Sequence, residues 1–573
     1  MKANDTSIKS LIEGVKQFLI PVYQRTFAWN PDERKTKAMT VVKMWDDIHE
    51  LLDNDEGEIH FFGSIVTMPA MSSASEVSKF IVIDGQQRLI STSLLLAAIR
   101  DTAKEAKVQE GSHAHFVEKL EEGFLLNRLR EGEEKYKVVP TRSDKEYYFS
   151  IVNGEEPVLF RDSKIARAYR FFLDRVRKEI DGKTDPKEIG SSLDRLQNVL
   201  LNRLRIVDVR LDADDDPHDV FESLNYTGIP LSNWDLVRNY ILMHYKDPKK
   251  QEEMYFNLVR RVEDNIKHND EEFLRDFINM KGKVTTSRNI YNGFKSLTPY
   301  SKTNTSTDWE MSMKELLDIS EIYRTLVNTE EIENTKLRDL INFTTGRLKI
   351  TTHFPVLMKL FKLYNDRTIN NNQLTSSVEI VTSYLLRRSL SYSSQGLNKF
   401  FPGVAASLTK DSETQLRDIM TKGSYAAPDD RKFIETLKQE EVGYFNAEVV
   451  KYLLYTLEKS INKEAPGLEH LQLEHIMPRT LDEDWKNDLG PEWDRIHREF
   501  IDKLGNLTLT GYNQELQNFS FAKKKAGNKG KNGYSSSSIQ ITKELTHYDK
   551  WGEEEISKRG EELSNRIAKM WKI

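Results

Sequence analysis

The residues best suited to chemistry fall into two clusters far apart in the chain. In the first, the apolar run Phe80-Ile81-Val82-Ile83 leads directly into Asp84-Gly85-Gln86-Gln87-Arg88. A strand that breaks through a glycine into a helix aims unpaired backbone N–H groups at an anion, and the helix end adds partial positive charge. Arg88 adds a guanidinium fork for phosphate, and Asp84 a carboxylate for holding a metal or orienting water. Upstream, a proline-led segment carries Gln24, Arg25, Phe27 and Trp29, an arginine beside aromatic faces that suits a nucleotide's phosphates and base. Further on, FESLNYTGIPLSNWDLVRNY at 221–240 sets Asn225, Thr227 and Gly228 in a turn before Ser232, a helix N-cap with Asp235 three residues later. Arg238 and Asn239 follow on the next turn. Each group also has a plain structural alternative: Asp84 as a helix cap with Arg88 at the surface, Asp235 as first-turn charge, and Arg238 as a helix-surface ion pair.

The second cluster lies near the C-terminus. Leu471-Gln472-Leu473-Glu474-His475-Ile476-Met477-Pro478 alternates like a strand and ends on an acid-histidine pair; LGNLTLT follows, with Asn506 31 residues after His475, and then Asn513. Phosphodiester hydrolysis needs a general base for water, and a neutral imidazole serves near neutral pH. It also needs a divalent cation on hard oxygen ligands, for which Glu474 and the amide oxygen of Asn513 suit magnesium or manganese. The ordered set reads as a ββα-metal nuclease. In that reading His475 activates water, Glu474 and Asn513 bind the metal, and Asn506 fixes the hairpin loop and the imidazole tautomer. Lys523, Lys524 and Lys525 then grip the flanking phosphates. The alternative is a surface Glu-His pair, asparagines filling turns and lysines in a solvated loop.

These clusters need elements to position them, and the chain is long enough for several domains: 573 residues, 38% of them apolar and 30% charged. Short β-rich runs (FLIPVY, HFFGSIVTM, FIVIDG) alternate with helical patterns up to about residue 100, and LRIVDVRL near 204 reads as a late strand returning to the same sheet. From 250 to 460 amphipathic helical windows dominate, for example SVEIVTSYLLRRSL and AEVVKYLLYTLEKSI, and NKEAPG marks a boundary before the second cluster. The expected fold is therefore α+β and predominantly helical. With no cysteine, thiolate nucleophiles and cysteine-bound metals are excluded; with a net charge of −6, a nucleic-acid surface must be a local basic patch. No apolar run reaches membrane-spanning length and no signal peptide opens the chain, so a cytoplasmic location is expected.

Together these segments resemble the GmrSD-type family of modification-dependent (type IV) restriction enzymes. The resemblance rests on Gln24, Arg25, Phe27 and Trp29 with DGQQR at 84–88, on the 221–240 segment, and on EHIMP, LGNLTL, Asn513, Phe521 with its lysines, and WGEEEISKR. It implies a ParB/sulfiredoxin-like NTP-binding and DNA-sensing domain over 1–245, a helical middle region over 246–462 and an HNH-type nuclease domain over 463–573. Implied with them are NTP hydrolysis at Asp84, Gly85, Gln86, Gln87 and Arg88, with Gln24, Arg25, Asn225, Thr227, Gly228, Asp235, Arg238 and Asn239 around the pocket. The nucleotide, GTP, ATP or UTP, stays open. So does the choice between cleaving modified phage or plasmid DNA, sensing phosphorothioate DNA as a nickase, and regulating by NTP-dependent DNA binding without cleavage. A homodimer is attractive because one nuclease centre cuts one strand. Two departures stand out: no Walker A loop is present, and Glu474 occupies a position where many such nucleases carry Asp.

Overall fold

A computed structural model describes the chain outside residues 30, 32–39, 55–56, 71–76, 109–112, 156–162, 213–214, 216–219, 221–230, 246–247, 298–305, 391–394, 440–446, 512–515 and 528–531. The described chain forms two compact units, Met1–Glu263 and Asp264–Ile573. It is α+β and predominantly helical, as its periodicities imply.

In the first unit β1 (Lys2–Ser7), β2 (Lys16–Leu19), β3 (His60–Pro69), β4 (Ser78–Asp84), β5 (Val138–Val139) and β6 (Leu204–Arg210) make one mixed sheet in the order β1-β6-β3-β4-β2-β5. The late strand does return to the first sheet: β6 enters between β1 and β3, antiparallel to one and parallel to the other. Its apolar face, Leu204 and Ile206, is wholly buried, which selects an interior position over an edge. By contrast β1 is unexpected, because KANDTS carries no apolar alternation. It is an exposed edge strand defined by backbone pairing to β6 and by the Asp5–Arg205 ion pair at 2.9 Å.

From β4 the chain enters the Gln86–Glu105 helix, whose apolar and small residues surround its axis, so it is buried on nearly every side. The Lys164–Glu179 helix lays Ile165, Ala168, Phe172 and Val176 against it. This packing fixes the strand-to-helix turn at Gly85.

The second unit contains the helical stretch, including Phe354–Asn365, Asn371–Leu390 and Ala447–Ile461, and ends in a small hairpin-and-helix assembly. Strands β7 (Gln472–His475) and β8 (Leu507–Thr510) pair antiparallel, with His475 opposite Leu507. Helices Glu483–Leu489 and Trp493–Phe500 fill the connection between them, and the Phe521–Ala526 helix follows. Trp485, Phe521, Tyr534, Trp551 and Ile556 form the core beneath. The Glu553–Met570 helix packs on the turn Leu504–Asn506, and only a glycine permits it: a Cβ on Gly505 would lie 1.9 Å from the Ile556 carbonyl oxygen.

Candidate functional site

His475 ends β7, and its Nε2 lies 2.9 Å from Asp502 Oδ1. Asp502 also accepts from Arg479 Nη2 at 3.1 Å, so the carboxylate is held from both sides. Burial pushes the imidazole below its usual value; Asp502 pulls it back, while Arg479 and Lys524 push it further down. A neutral ring results near pH 7. Because a carboxylate can only accept, Nε2 carries the proton and Nδ1 keeps a free lone pair, with no partner among the described residues. The ring lines an open cleft of ≈ 280 Å³ with Glu474, Arg479, Gln517 and Asn518. That is the position a general base needs.

Asn506 bonds the ends of the hairpin connection. It is fully buried; its Oδ1 accepts from Met477 N at 2.8 Å and from Trp551 Nε1 at 3.0 Å, and its Nδ2 donates to the Met477 and Ile501 carbonyls. All of these tie the hairpin ends together. The imidazole tautomer is set by Asp502 instead, a residue that nothing in FIDKLGN distinguishes from an ordinary surface acid.

The lysine run also divides. Lys524, 1% exposed, donates to Glu474 Oε1 at 2.6 Å and to the His475 carbonyl at 2.9 Å. It lines the same cleft as His475, with its ammonium held by those two bonds, because the helical period turns it inward beneath β7 while its neighbours face out. Lys523 is half-exposed and paired with Asp484 at 2.6 Å, and Lys525 donates to the Tyr548 carbonyl at 2.8 Å. Glu474 also accepts from Tyr534 at 3.3 Å. Burial raises the Glu474 carboxyl and lowers the Lys524 amine, each shift opposed by the other partner.

Asn513 lies outside the described residues. Among the described residues no three His, Asp or Glu side chains converge into a metal cage. The donors that do face the cleft are hard oxygens, those of Glu474, Gln472, Gln517 and Asn518. Their chemistry suits magnesium or manganese, which bind through one or two carboxylates and keep several waters, although the one carboxylate among them, Glu474, already has its Oε1 held by the Lys524 ammonium.

In the first unit the two N-terminal segments meet. Gln24 Nε2 donates to the Ile83 carbonyl at 2.8 Å, Gln86 Nε2 to the Arg25 carbonyl at 3.1 Å, and Gln87 Oε1 accepts from Ala28 N at 2.8 Å. The three glutamines therefore stitch residues 24–29 to the strand-to-helix turn. Gly85 is the N-cap at φ +93°, and no side chain caps the first turn, so Asp84 is not the helix cap of the plain alternative. Arg88 is not a surface arginine either, nor a free fork for phosphate. Its Nε and Nη1 donate to the Phe62 and Ser64 carbonyls at 3.0 and 3.1 Å, across a bulge in β3. The guanidinium docks over Gly63, at φ +117°, where a Cβ would stand 2.5 Å from Nε.

Among the described residues Arg25 is a cation close to this turn, within electrostatic reach of Asp84 and Asp235. Burial lowers it, and the carboxylates of Asp235 and Asp84 pull it back up. Burial likewise raises Asp84, against Arg88, the Gly85 N–H and Arg25. Asp235 closes a capping box with Ser232 and accepts from Arg238 Nη2 at 2.5 Å, while Arg238 also bonds Glu263 and the Tyr23 carbonyl. Those contacts match the ion-pair alternative for Arg238. Asn239 is buried, and its Oδ1 and Gln86 Oε1 have no partner among the described residues, the kind of acceptor a ligand or water satisfies. Asn225, Thr227 and Gly228 lie outside the described residues.

An imidazole held by a carboxylate at the end of a short hairpin, with a helix closing beneath, suits phosphodiester hydrolysis. Comparison with known families agrees: residues 8–242 match the GmrSD restriction endonuclease N-terminal domain, and residues 427–566 match the C-terminal domain of GmrSD restriction endonucleases. The protein is a restriction endonuclease. It belongs to the GmrSD family, both parts being carried in one chain. No curated protein matches it. The second match takes in the Ala447–Ile461 helix, whose buried Glu458 accepts from the Gln540 and Ile541 amides at 2.9 and 3.0 Å and so ties the helix to the hairpin assembly. Among the described residues no helix is long and apolar enough to cross a membrane.

Proposed function

We propose that this restriction endonuclease is NTP-regulated and acts on modified phage or plasmid DNA in anti-phage defence, with His475 as the general base. The observation that carries the catalytic part is the Asp502–His475 pair on an open polar cleft. Nδ1 of His475 takes a proton from water, and Asp502 stabilises the imidazolium that forms. A divalent cation, magnesium or manganese at Glu474 and Asn513, would neutralise charge developing on the phosphate. Lys523 is the exposed lysine of its run available to a flanking phosphate once Asp484 releases it.

The nucleotide, GTP, ATP or UTP, belongs to the turn at Gly85. Its phosphates meet the uncapped first turn of the Gln86–Glu105 helix and Arg25, and Asp84 orients water. Arg88 acts there as a positioning residue, since its bonds join the helix to β3.

The test is a cleavage assay with plasmids carrying hydroxymethylated, glucosylated or phosphorothioate modifications, with each NTP and with magnesium or manganese. The wild type is expected to cut at least one substrate, His475→Ala none, and Asp84→Ala to lose phosphate release. Equal cleavage by wild type and His475→Ala would refute the base assignment.

A further inference from the structure

A second cavity in the Asp264–Ile573 unit has the chemistry of a nucleotide site. It encloses ≈ 650 Å³ where helices Thr335–Asn342, Asn371–Leu390 and Ala447–Ile461 meet residues 570–572. One wall is aromatic: Tyr452, Tyr455 and Trp571. The wall is rigid. Tyr452 stacks on Phe343 with centroids 4.3 Å apart, Arg347 covers its ring at 5.0 Å, and Trp571 lies 5.4 Å from Phe343. Buried Arg387 grips the Trp571 carbonyl at 3.0 Å and is itself anchored by Asp430 at 2.6 Å. The Trp571 indole N–H is buried with no acceptor among the described residues.

Beside these rings the charge is cationic. Arg417, Lys459 and Lys572 line the cavity and make no ion pair among the described residues, whereas Lys336 is paired with Glu379; Asp339 is the other carboxylate present. An apolar ligand would gain nothing from three unpaired cations, and a simple polyanion nothing from a preformed aromatic wall. Flat faces beside free positive charge suit a ring that stacks and a phosphate that follows it.

We propose that this cavity binds one nucleotide unit, its base against Tyr455 and Trp571 and its phosphate on Arg417 and Lys459. That unit is either a base extruded from a DNA strand or a free nucleotide, and only the DNA source rests on the endonuclease reading above.

The experiment uses the full chain carrying His475→Ala, so that DNA survives. Calorimetric titrations use deoxynucleoside monophosphates in one arm and a short duplex with one mismatched pair in the other. Tyr455→Ala and the double variant Arg417→Glu/Lys459→Glu are compared in the same background, with circular dichroism confirming the fold. Each change is expected to weaken binding about tenfold or more in one arm, which identifies the source. Absence of binding in both arms, or an unchanged Kd in Tyr455→Ala, overturns the proposal. Cleavage by the chain with His475 intact is measured separately. Its loss would sink the endonuclease reading and leave the free-nucleotide arm standing.

Discussion

Substituting Lys524→Met isolates the buried pair beneath His475. Lys524 is 1% and Glu474 4% exposed, with 2.6 Å between Nζ and Oε1. Removing the ammonium leaves a carboxylate buried with, among the described residues, the Tyr534 hydroxyl as its remaining donor, and leaves the His475 carbonyl without this donor. Breaking a buried pair from one side costs about 3–5 kcal/mol, a large fraction of a typical unit's stability. The pH dependence follows from the direction of the Glu474 shift. Burial already raises that carboxyl, and Lys524 is the strongest influence lowering it, so in the variant it rises further above its unfolded value. The folded variant then binds a proton that the unfolded chain does not. Its destabilisation is full above the folded pKa and shrinks as pH falls through it. Urea unfolding followed by fluorescence of Trp485 and Trp551, at pH 8 and at pH 5, should show the larger deficit at the higher pH. Adding Glu474→Gln to Lys524→Met removes the stranded charge and should return stability to within about 1–2 kcal/mol of wild type. A deficit below about 1 kcal/mol, the same at both pH values, would refute the reasoning. Lys524 would then be a solvated cation, as its place in a lysine run suggests.

Asp502→Asn should lower kcat on the order of tenfold or more with little change in KM, since it acts through the imidazole. Asp502 raises His475, so the acid limb of the kcat profile should move to lower pH, and an unmoved limb would count against the pairing. His353, fully buried against Thr344 at 3.0 Å, is pushed down to about 3 and stays neutral when folded. Its contribution to stability is therefore present above about pH 6.5 and lost as pH falls from there toward 3, at about 1.4 kcal/mol per unit. Comparing urea midpoints of wild type and His353→Gln at pH 7 and pH 5 reads that slope. Gly505→Ala places a methyl group against the Ile556 carbonyl and should cost about 3 kcal/mol or more, seen as a lowered melting temperature together with lost cleavage.

What the chain made legible by itself was local. Apolar alternation marked β3, β4 and β6, amphipathic periods marked the long helices, and the glycine after Asp84 marked the turn that starts a helix. The acid-histidine pair at the end of β7 and the asparagine at 506 were visible for the same reason: strand alternation and turn chemistry act over a few residues. The polar edge strand β1 escaped because its partner among the described residues, β6, lies some two hundred residues away, and backbone pairing leaves no trace in side-chain pattern.

The roles of the side chains were decided at longer range. Asp502 reaches His475 because the connection between the hairpin strands folds back, which spacing cannot encode. Lys524 turns inward to Glu474 while its neighbours do not, because a single helical turn sorts three identical residues by direction. Arg88 docks on β3 because Gly63 lacks a Cβ at one point of a bulged strand. Residue type supplied the chemistry available at each position. Whether a charge meets solvent, a ligand or a buried partner depends on desolvation and packing, and those exist only once distant segments come together.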